Sequence, residues 1–250
     1  MIPDKYGGLG GGARDSCAIT RDMAKICLGI TTAFFAIQLG ADPIIVGGTK
    51  EQKQKWLGKI AAGEALVAYA VTEPDAGSNV ASIKTKADPV LNDAGEITGY
   101  KINGAKQFIS TGGYAEFITL LANTPEGATF FIVEKDTEGY IRGKGEEKHG
   151  IRASNTSPLT FSDVFVPVDN IIGGVTGQGL KQASKVFGYT RLMVASMALG
   201  GGESALDIVI PYAKERIQFK TPLSEKQGYT HKLVVPHAVR LAAAANYIDE

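Results

Sequence analysis

"AYAVTEPDAGSNVASIKTKA", residues 68–87, opens with an apolar run, breaks into a knot of turn-forming residues and resumes as an alternating strand. Before it, apolar residues recur at helical spacing; after it, they alternate. The stretch therefore marks where the chain changes period, from helices to a β domain. A strand ending at Thr72 and followed by Glu, Pro, Asp, Gly, Ser and Asn presents hydroxyls and free backbone N–H groups at a sheet edge. A polar heterocycle or a phosphate could be met there without any net charge. A plain surface turn accounts for the same residues, and the segment alone does not choose between the two.

Upstream, from about residue 13 to 62, Ile19, Met23, Ile26, Cys27, Ile30, Phe34 and Ile37 fall on one broad helical face. A second helix is predicted to start in "GGTKEQKQKWLGKIAAGE", capped by Thr49, with Gln52 as the other half of a capping box and Gly63 as its end. Downstream, from 65 to about 167, short runs such as "LVAYAVTE", "KQFIS", "FITLLAN", "TFFIVEK" and "LTFSDVFVP" are separated by the turn signals "NDAG" and "NG". Strands that follow one another without intervening helices predict antiparallel pairing in a small barrel or sandwich. After "GGVTGQG" the helical period returns through Leu180, Val186, Leu192, Leu206 and Ala213. "GGG" at 200–202 and Pro211 predict a kink or very close packing there.

The expected fold class is therefore α+β: a partial N-terminal helical domain (1–64), a central antiparallel β-barrel or sandwich domain (65–175) and a partial C-terminal helical bundle (176–250). One long helix and part of another cannot bury both of their apolar faces alone. A chain cut short, or one leaning on a partner, is the expectation.

Charge narrows the functional classes. The 250 residues hold 26 basic and 26 acidic side chains, so no global positive field gathers nucleic acid or anionic lipid. "MIPDKYGG" lacks the pattern of a secretory signal. The uncharged stretch "ICLGITTAFFAIQLGA" is shorter than a membrane span needs and reads as a buried helix. Cys17 and Cys27 read as core residues of a reduced, intracellular protein.

Several chemistries find no support. "GLGGGA" at 8–13 matches a dinucleotide fingerprint, but the polar "MIPDKYG" ahead of it is not the buried strand that motif requires. His149, His231 and His237 are far apart and make no metal-ligand spacing, so no metal is expected. No G-x-S-x-G elbow is present. By contrast, "NGAKQFIS" offers the aromatic plane of Phe108 with the Ser110 hydroxyl two residues on. That pairing suits one face of a flat ring needing a hydrogen bond at its edge, and equally suits ordinary core.

Taken in order, "IPDKYGGLGGG", "GTKEQKQKWL", "AYAVTEPDAGSN", "INGAKQFIST", "KHGIRASNTSPLTFSDVFVP" and "YAKERIQFKTPL" resemble the acyl-CoA dehydrogenase family of flavoproteins. The resemblance spans almost the whole chain. It implies that the "TEPDAGS" loop and the "KQFIS" strand line the isoalloxazine of FAD. Tyr69, Val71 and Thr72 would meet the flavin's pyrimidine edge, Phe108 would stack near the ring, and Ser110 would bond at its N5 side. Ser78 would touch the pantetheine or phosphate region, and Arg191 the CoA pocket. Arg216, Gln218, Phe219 and Gln227 match positions that reach the FAD of a neighbouring subunit.

The implied reaction is α,β-dehydrogenation of an acyl-CoA thioester to the 2-enoyl-CoA. Electrons would pass to an electron-transferring flavoprotein, from a homodimer or homotetramer in the cytoplasm or mitochondrial matrix. The chain departs from the family pattern at the base. The usual glutamate is expected beyond Glu250, and the alternative position on the long helix is occupied by Thr190. Glu73 reads as structural, and Glu203 lies well down the helix. Gly188 stands where an acidic residue is common beside Arg191, and Lys220 where glycine is common after Phe219. A same-fold oxidase or monooxygenase, and a non-catalytic protein that binds CoA ligands or assembles with partners, remain as alternatives.

Overall fold

The computed structural model describes residues 1–249. They form two compact units, Met1–Gly11 with Thr32–Thr190, and Gly12–Thr31 with the chain from Arg191 onward. In the second unit, α1 (Ala13–Ile26) buries Ser16, Cys17, Thr20 and Ala24. It stops at Cys27, whose extended backbone (φ −157°) resets the register before α2 (Leu28–Gly47) begins. The single broad face expected for this region is therefore split. Ile26 and Ile30 are 88% and 57% exposed, because no common helical face survives the break.

The capping box forms as its sequence predicts. The Thr49 hydroxyl accepts from Gln52 N (3.2 Å), and Thr49 N donates to Gln52 Oε1 (3.1 Å). It opens α3 (Lys50–Gln52), which continues through a π turn (Lys53–Leu57) into α4 (Gly58–Ala61) and ends at Gly63 with φ +74°. Gln52 does more than cap. Its amide Nε2 donates to the carbonyls of Asp169 (2.9 Å) and Ile171 (2.7 Å), and its Oε1 also accepts from Gly173 N (3.0 Å).

The sheet comprises β1 (Val67–Ala70), β2 (Lys86–Leu91), β3 (Ile97–Ser110), β4 (Phe117–Thr124), β5 (Gly127–Glu134), β6 (Tyr140–Arg142) and β7 (Thr156–Pro167). Their order is β1-β4-β2-β3-β7-β6, with β5 on β4. Pairing is antiparallel for β2–β3, β3–β7, β4–β5 and β6–β7. It departs from the expected antiparallel pattern at β4: the Lys86–Asn123 pairing of β2 with β4 is parallel, and β1 runs parallel to β4 along its length. The intervening 46 or so residues of hairpin and loop supply the crossover that parallel neighbours need.

Strand β4, "FITLLANT", is an almost unbroken buried run because both its faces are covered. Ile118, Leu120 and Phe131 pack on one side of the sheet with Leu159 and Phe161. Phe117, Leu121 and Phe130 pack on the other with Ile44, Trp56, Leu57 and Ala183. The C-terminal end of α2 lies close over this second face. A Cβ on Gly40 would meet the Val67 carbonyl group at 3.0 Å, and Thr119 Oγ1 donates to Gly40 O at 3.0 Å.

Helix α5 (Gly179–Glu215) is continuous through both the glycine run and Pro211. The glycines mark close packing rather than a break. A Cβ on Gly200 would sit 2.1 Å from Arg21 O, and one on Gly202 would sit 2.8 Å from the Leu241 side chain. Beyond α5 come the small hairpin β8 (Ile217–Gln218) and β9 (Thr221–Pro222), then α6 (Gln227–Tyr229), which runs through a π turn into α7 (Val235–Asp249). Both cysteines are free thiols. By length and composition alone, α2 and α5 are long and apolar enough to cross a membrane, a test that core helices also pass.

Candidate functional site

The loop after β1 is built around one carboxylate. Glu73 and Ala76 exchange backbone hydrogen bonds (2.8 and 3.2 Å) that close the tight turn. The Glu73 side chain turns inward and accepts from Lys84 N (2.6 Å), Thr85 N (3.0 Å), Thr85 Oγ1 (2.6 Å) and Lys106 Nζ (2.7 Å). Lys106, with no exposed side chain, also donates to Val71 O at 3.1 Å.

Burial pushes Glu73 up, yet Lys106, Thr85 and the Lys84 amide outweigh it and hold the carboxyl below its ordinary range. Burial pulls the Lys106 ammonium down to about 8, against the opposing pull of Glu73. The pair is thus an ionised internal clamp, with every strong acceptor site on Glu73 in use. Its structural reading from sequence is consistent with this geometry.

The same clamp fixes the neighbouring strand. Gln107 N donates to Thr72 O at 2.8 Å, tying the loop to β3. Between Lys106 and Ile109 the β3–β7 register shifts, and Phe108 adopts φ +58°. A left-handed phenylalanine costs roughly 1 kcal/mol or more and is rarely kept without a use. Here it leaves the ring 62% exposed beside the loop.

The strict alternation that would set Phe108 and Ser110 on one face does not apply across this bulge. Ser110 is half-buried, Thr72 is half-buried and Ser78 is exposed. Val71 is buried. The Tyr69 ring points inward between Phe130 and Phe187, at 5.7 and 6.1 Å between centroids. An exposed aromatic plane on a strained bulge, flanked by hydroxyls and by a backbone held from behind, fits a flat ring system such as a flavin.

The second unit carries the other residues matched by resemblance. Arg216, Gln218 and Phe219 lie on the β8–β9 hairpin, all exposed, with Gln227 exposed at the start of α6. Phe219 (φ +53°) and Lys220 (φ +67°) form the hairpin's turn, both left-handed as a two-residue primed turn requires. The glycine common at the position of Lys220 is explained by that angle. Arg191 is exposed and engaged with other groups in the fold. Glu203 is bound by Arg21 (Nε to Oε2 2.9 Å) and Lys25 (3.0 Å). The Arg21 hydrogen bond, opposed by burial, holds its carboxyl below the ordinary range.

One buried acid escapes a reading by motif. Asp42 is 1% exposed in α2, and neither carboxylate oxygen has a hydrogen-bond partner of full geometry among the described residues. Burial pushes it up to about 7, with the Tyr189 hydroxyl and the amino terminus opposing. The Tyr69 hydroxyl is likewise buried and unpartnered, and burial followed by the Asp42 charge pushes it upward. Tyr189 moves the same way, through burial first and then Asp42. The signal was a lone acid in the apolar run "LGADPIIV". Its tyrosine partners lie far off in sequence, so no local pattern exposes the cluster.

Three models of one family match the chain in order: the acyl-CoA dehydrogenase N-terminal domain over residues 1–64, the middle domain over 68–164 and the C-terminal domain over 177–249. The chain belongs to the acyl-CoA dehydrogenase family. It is 39% identical to a probable medium-chain specific acyl-CoA dehydrogenase of Caenorhabditis briggsae, over 91% of this chain and 56% of that protein.

Among solved structures, butyryl-CoA dehydrogenase from Megasphaera elsdenii superposes with a TM-score of 0.90 at 36% identity, covering 98% of this chain and 64% of that one. An acyl-CoA dehydrogenase complexed with FAD from Bacillus anthracis gives 0.91 at 33% identity, covering 99% and 41%. The chain thus spans about half to two thirds of the length of the curated relatives it matches.

Proposed function

We propose that the protein to which this chain belongs oxidises an acyl-CoA thioester to its 2-enoyl-CoA with bound FAD. The observation that carries the reading is the left-handed, exposed Phe108 held beside the Glu73–Lys106-anchored loop. That is a site built for a flat cofactor, in a chain whose relatives include an FAD complex. FAD when bound supplies the two-electron oxidant.

The chain's own residues hold and orient it. Val71 and Thr72 present backbone groups and a hydroxyl, Phe108 a plane, and Ser110 a hydroxyl bond. Ser78 and Arg191 meet the CoA portion. Arg216, Gln218, Phe219 and Gln227 serve the cofactor of a second copy, which makes the working protein a homodimer or a larger homo-oligomer. The electron acceptor is an electron-transferring flavoprotein in an intracellular compartment.

The test is reconstitution with FAD. The expected result is a yellow protein whose flavin absorbance bleaches on adding acyl-CoA under anaerobic conditions. A full-length protein that stays colourless and indifferent to FAD refutes the proposal. Rapid reoxidation by O2 with peroxide release would favour the oxidase alternative instead.

A further inference from the structure

The loop held by Glu73 and Lys106 spends its backbone groups inward, with one exception. Val71 O accepts from Lys106 Nζ (3.1 Å), Thr72 O accepts from Gln107 N (2.8 Å), and Glu73 N donates to Ala76 O (2.8 Å). Among the described residues, the Thr72 N–H has no acceptor. An unspent donor beside a candidate site asks for a partner.

Its direction follows from the peptide unit. The described chain has no cis peptide bond, and across a trans peptide the C=O and the N–H point opposite ways. The Val71 carbonyl faces an ammonium whose side chain has no exposed surface, so the Thr72 N–H of the same peptide faces outward. Thr72 is half-buried, and its carbonyl's bond to Gln107 N brings this N–H next to residue 108, whose ring is 62% exposed.

The ammonium also changes the donor. Drawing charge toward the carbonyl oxygen leaves the N–H of the same peptide more positive, and a dry interior does not screen that polarisation away. Glu73 supplies the counter-charge, and Thr85 and Lys84 N fix Glu73 in turn. The positive end of the pair is the end that touches the loop.

We propose that Lys106 tunes the cofactor from behind: through the Val71–Thr72 peptide it strengthens the Thr72 N–H as a donor to the flavin's pyrimidine edge, and so raises the flavin's reduction potential. This rests on the dehydrogenase reading above. The substrate's hydride brings two electrons and one hydrogen nucleus to the ring, which thereby gains one negative charge. A donor aimed at that edge favours the charged, reduced form over the neutral, oxidised one. Lys106 itself touches neither cofactor nor substrate and is a positioning residue.

The experiment compares FAD-loaded, full-length wild type with two double variants. E73Q/K106M removes both charges, which avoids stranding either one in the interior. E73Q/K106Q does the same and keeps an uncharged amide to donate to the Val71 carbonyl. In both, reduced flavin should lose about tenfold in binding relative to oxidised flavin, a fall of about 30 mV for a two-electron couple. Reduction against a reference dye measures it, and a merely structural clamp would not move it. E73Q/K106Q decides the matter should E73Q/K106M fail to retain FAD. Independently of reduction, the Thr72 amide of wild type should exchange readily with D2O in flavin-free protein and be protected once oxidised FAD binds.

An unchanged potential in a variant that holds FAD, or a Thr72 amide whose exchange ignores FAD, overturns the inference alone. A full-length wild type that takes up no FAD overturns the cofactor reading, and this inference with it.

Discussion

Replacing Asp42 by Asn should make the fold more stable at neutral pH, by an amount set by the same burial that tunes the carboxyl. In the unfolded chain the group ionises near 3.8; folded, it holds its proton to about 7. Between those values the native state binds more protons than the unfolded one, so stability falls as pH rises and levels off above the folded pKa. Roughly three pKa units at about 1.4 kcal/mol each amount to ~4 kcal/mol lost between pH 4 and pH 7. Asn keeps the shape and cannot ionise, so the D42N curve should lack this slope.

The two proteins should have similar stability near pH 4 and diverge progressively up to pH 7, with D42N the more stable. Urea unfolding of flavin-free wild type and D42N at several pH values, followed by fluorescence, measures it. The groups facing Asp42 are the Tyr69 and Tyr189 hydroxyls, which do not titrate in this window, and the amino terminus. Parallel stability curves for the two proteins across pH 4–7 would show that Asp42 is not a raised, buried carboxyl.

Lys106→Met should destabilise the fold by about 3–5 kcal/mol in urea unfolding, because it strands the Glu73 charge in the interior; a loss below about 1 kcal/mol would refute the clamp. Gly200→Ala should lower the melting temperature, since its Cβ would meet Arg21 O at 2.1 Å, whereas Gly188→Ala, with open space around it, should raise stability by up to about 1 kcal/mol. Phe108→Gly should leave the flavin-free protein as stable or more so, by relieving φ +58°, while weakening FAD binding in a fluorescence titration; unchanged FAD affinity would count against the ring's role.

Local chemistry was legible wherever it closes within a few residues. The Thr49–Gln52 box and the Gly63 stop follow from side chains one helical turn apart, and they formed as read. The helix, β, helix order followed from changes of period. What the period could not show was a single extended residue at Cys27, which turned an apparently continuous apolar face into two helices with Ile26 in solvent. Nor could alternation foresee the bulge at Phe108, because its cause lies across the sheet, in the unequal spans of β3 and β7 between their pairings at Lys106 and Ile109. Asp42 was harder still, since its environment is assembled from α2, β1 and α5, and only the folded chain brings those together. The loop at 71–78 stood out as a candidate site through resemblance, and the buried clamp behind it only through structure.

The Gln52 amide bears on how such proteins can be recombined. The family's middle-domain model begins at residue 68, which invites swapping that segment between relatives as a cassette. Yet one amide sixteen residues earlier satisfies the carbonyls of Asp169 and Ile171 and the N–H of Gly173, where the chain leaves the sheet. A chimaera joined at residue 65 would graft those groups onto a foreign helix with no guarantee of a matching amide. The heritable module therefore starts at the Thr49 cap, and a crossover placed ahead of it keeps both ends of the stitch from the same parent.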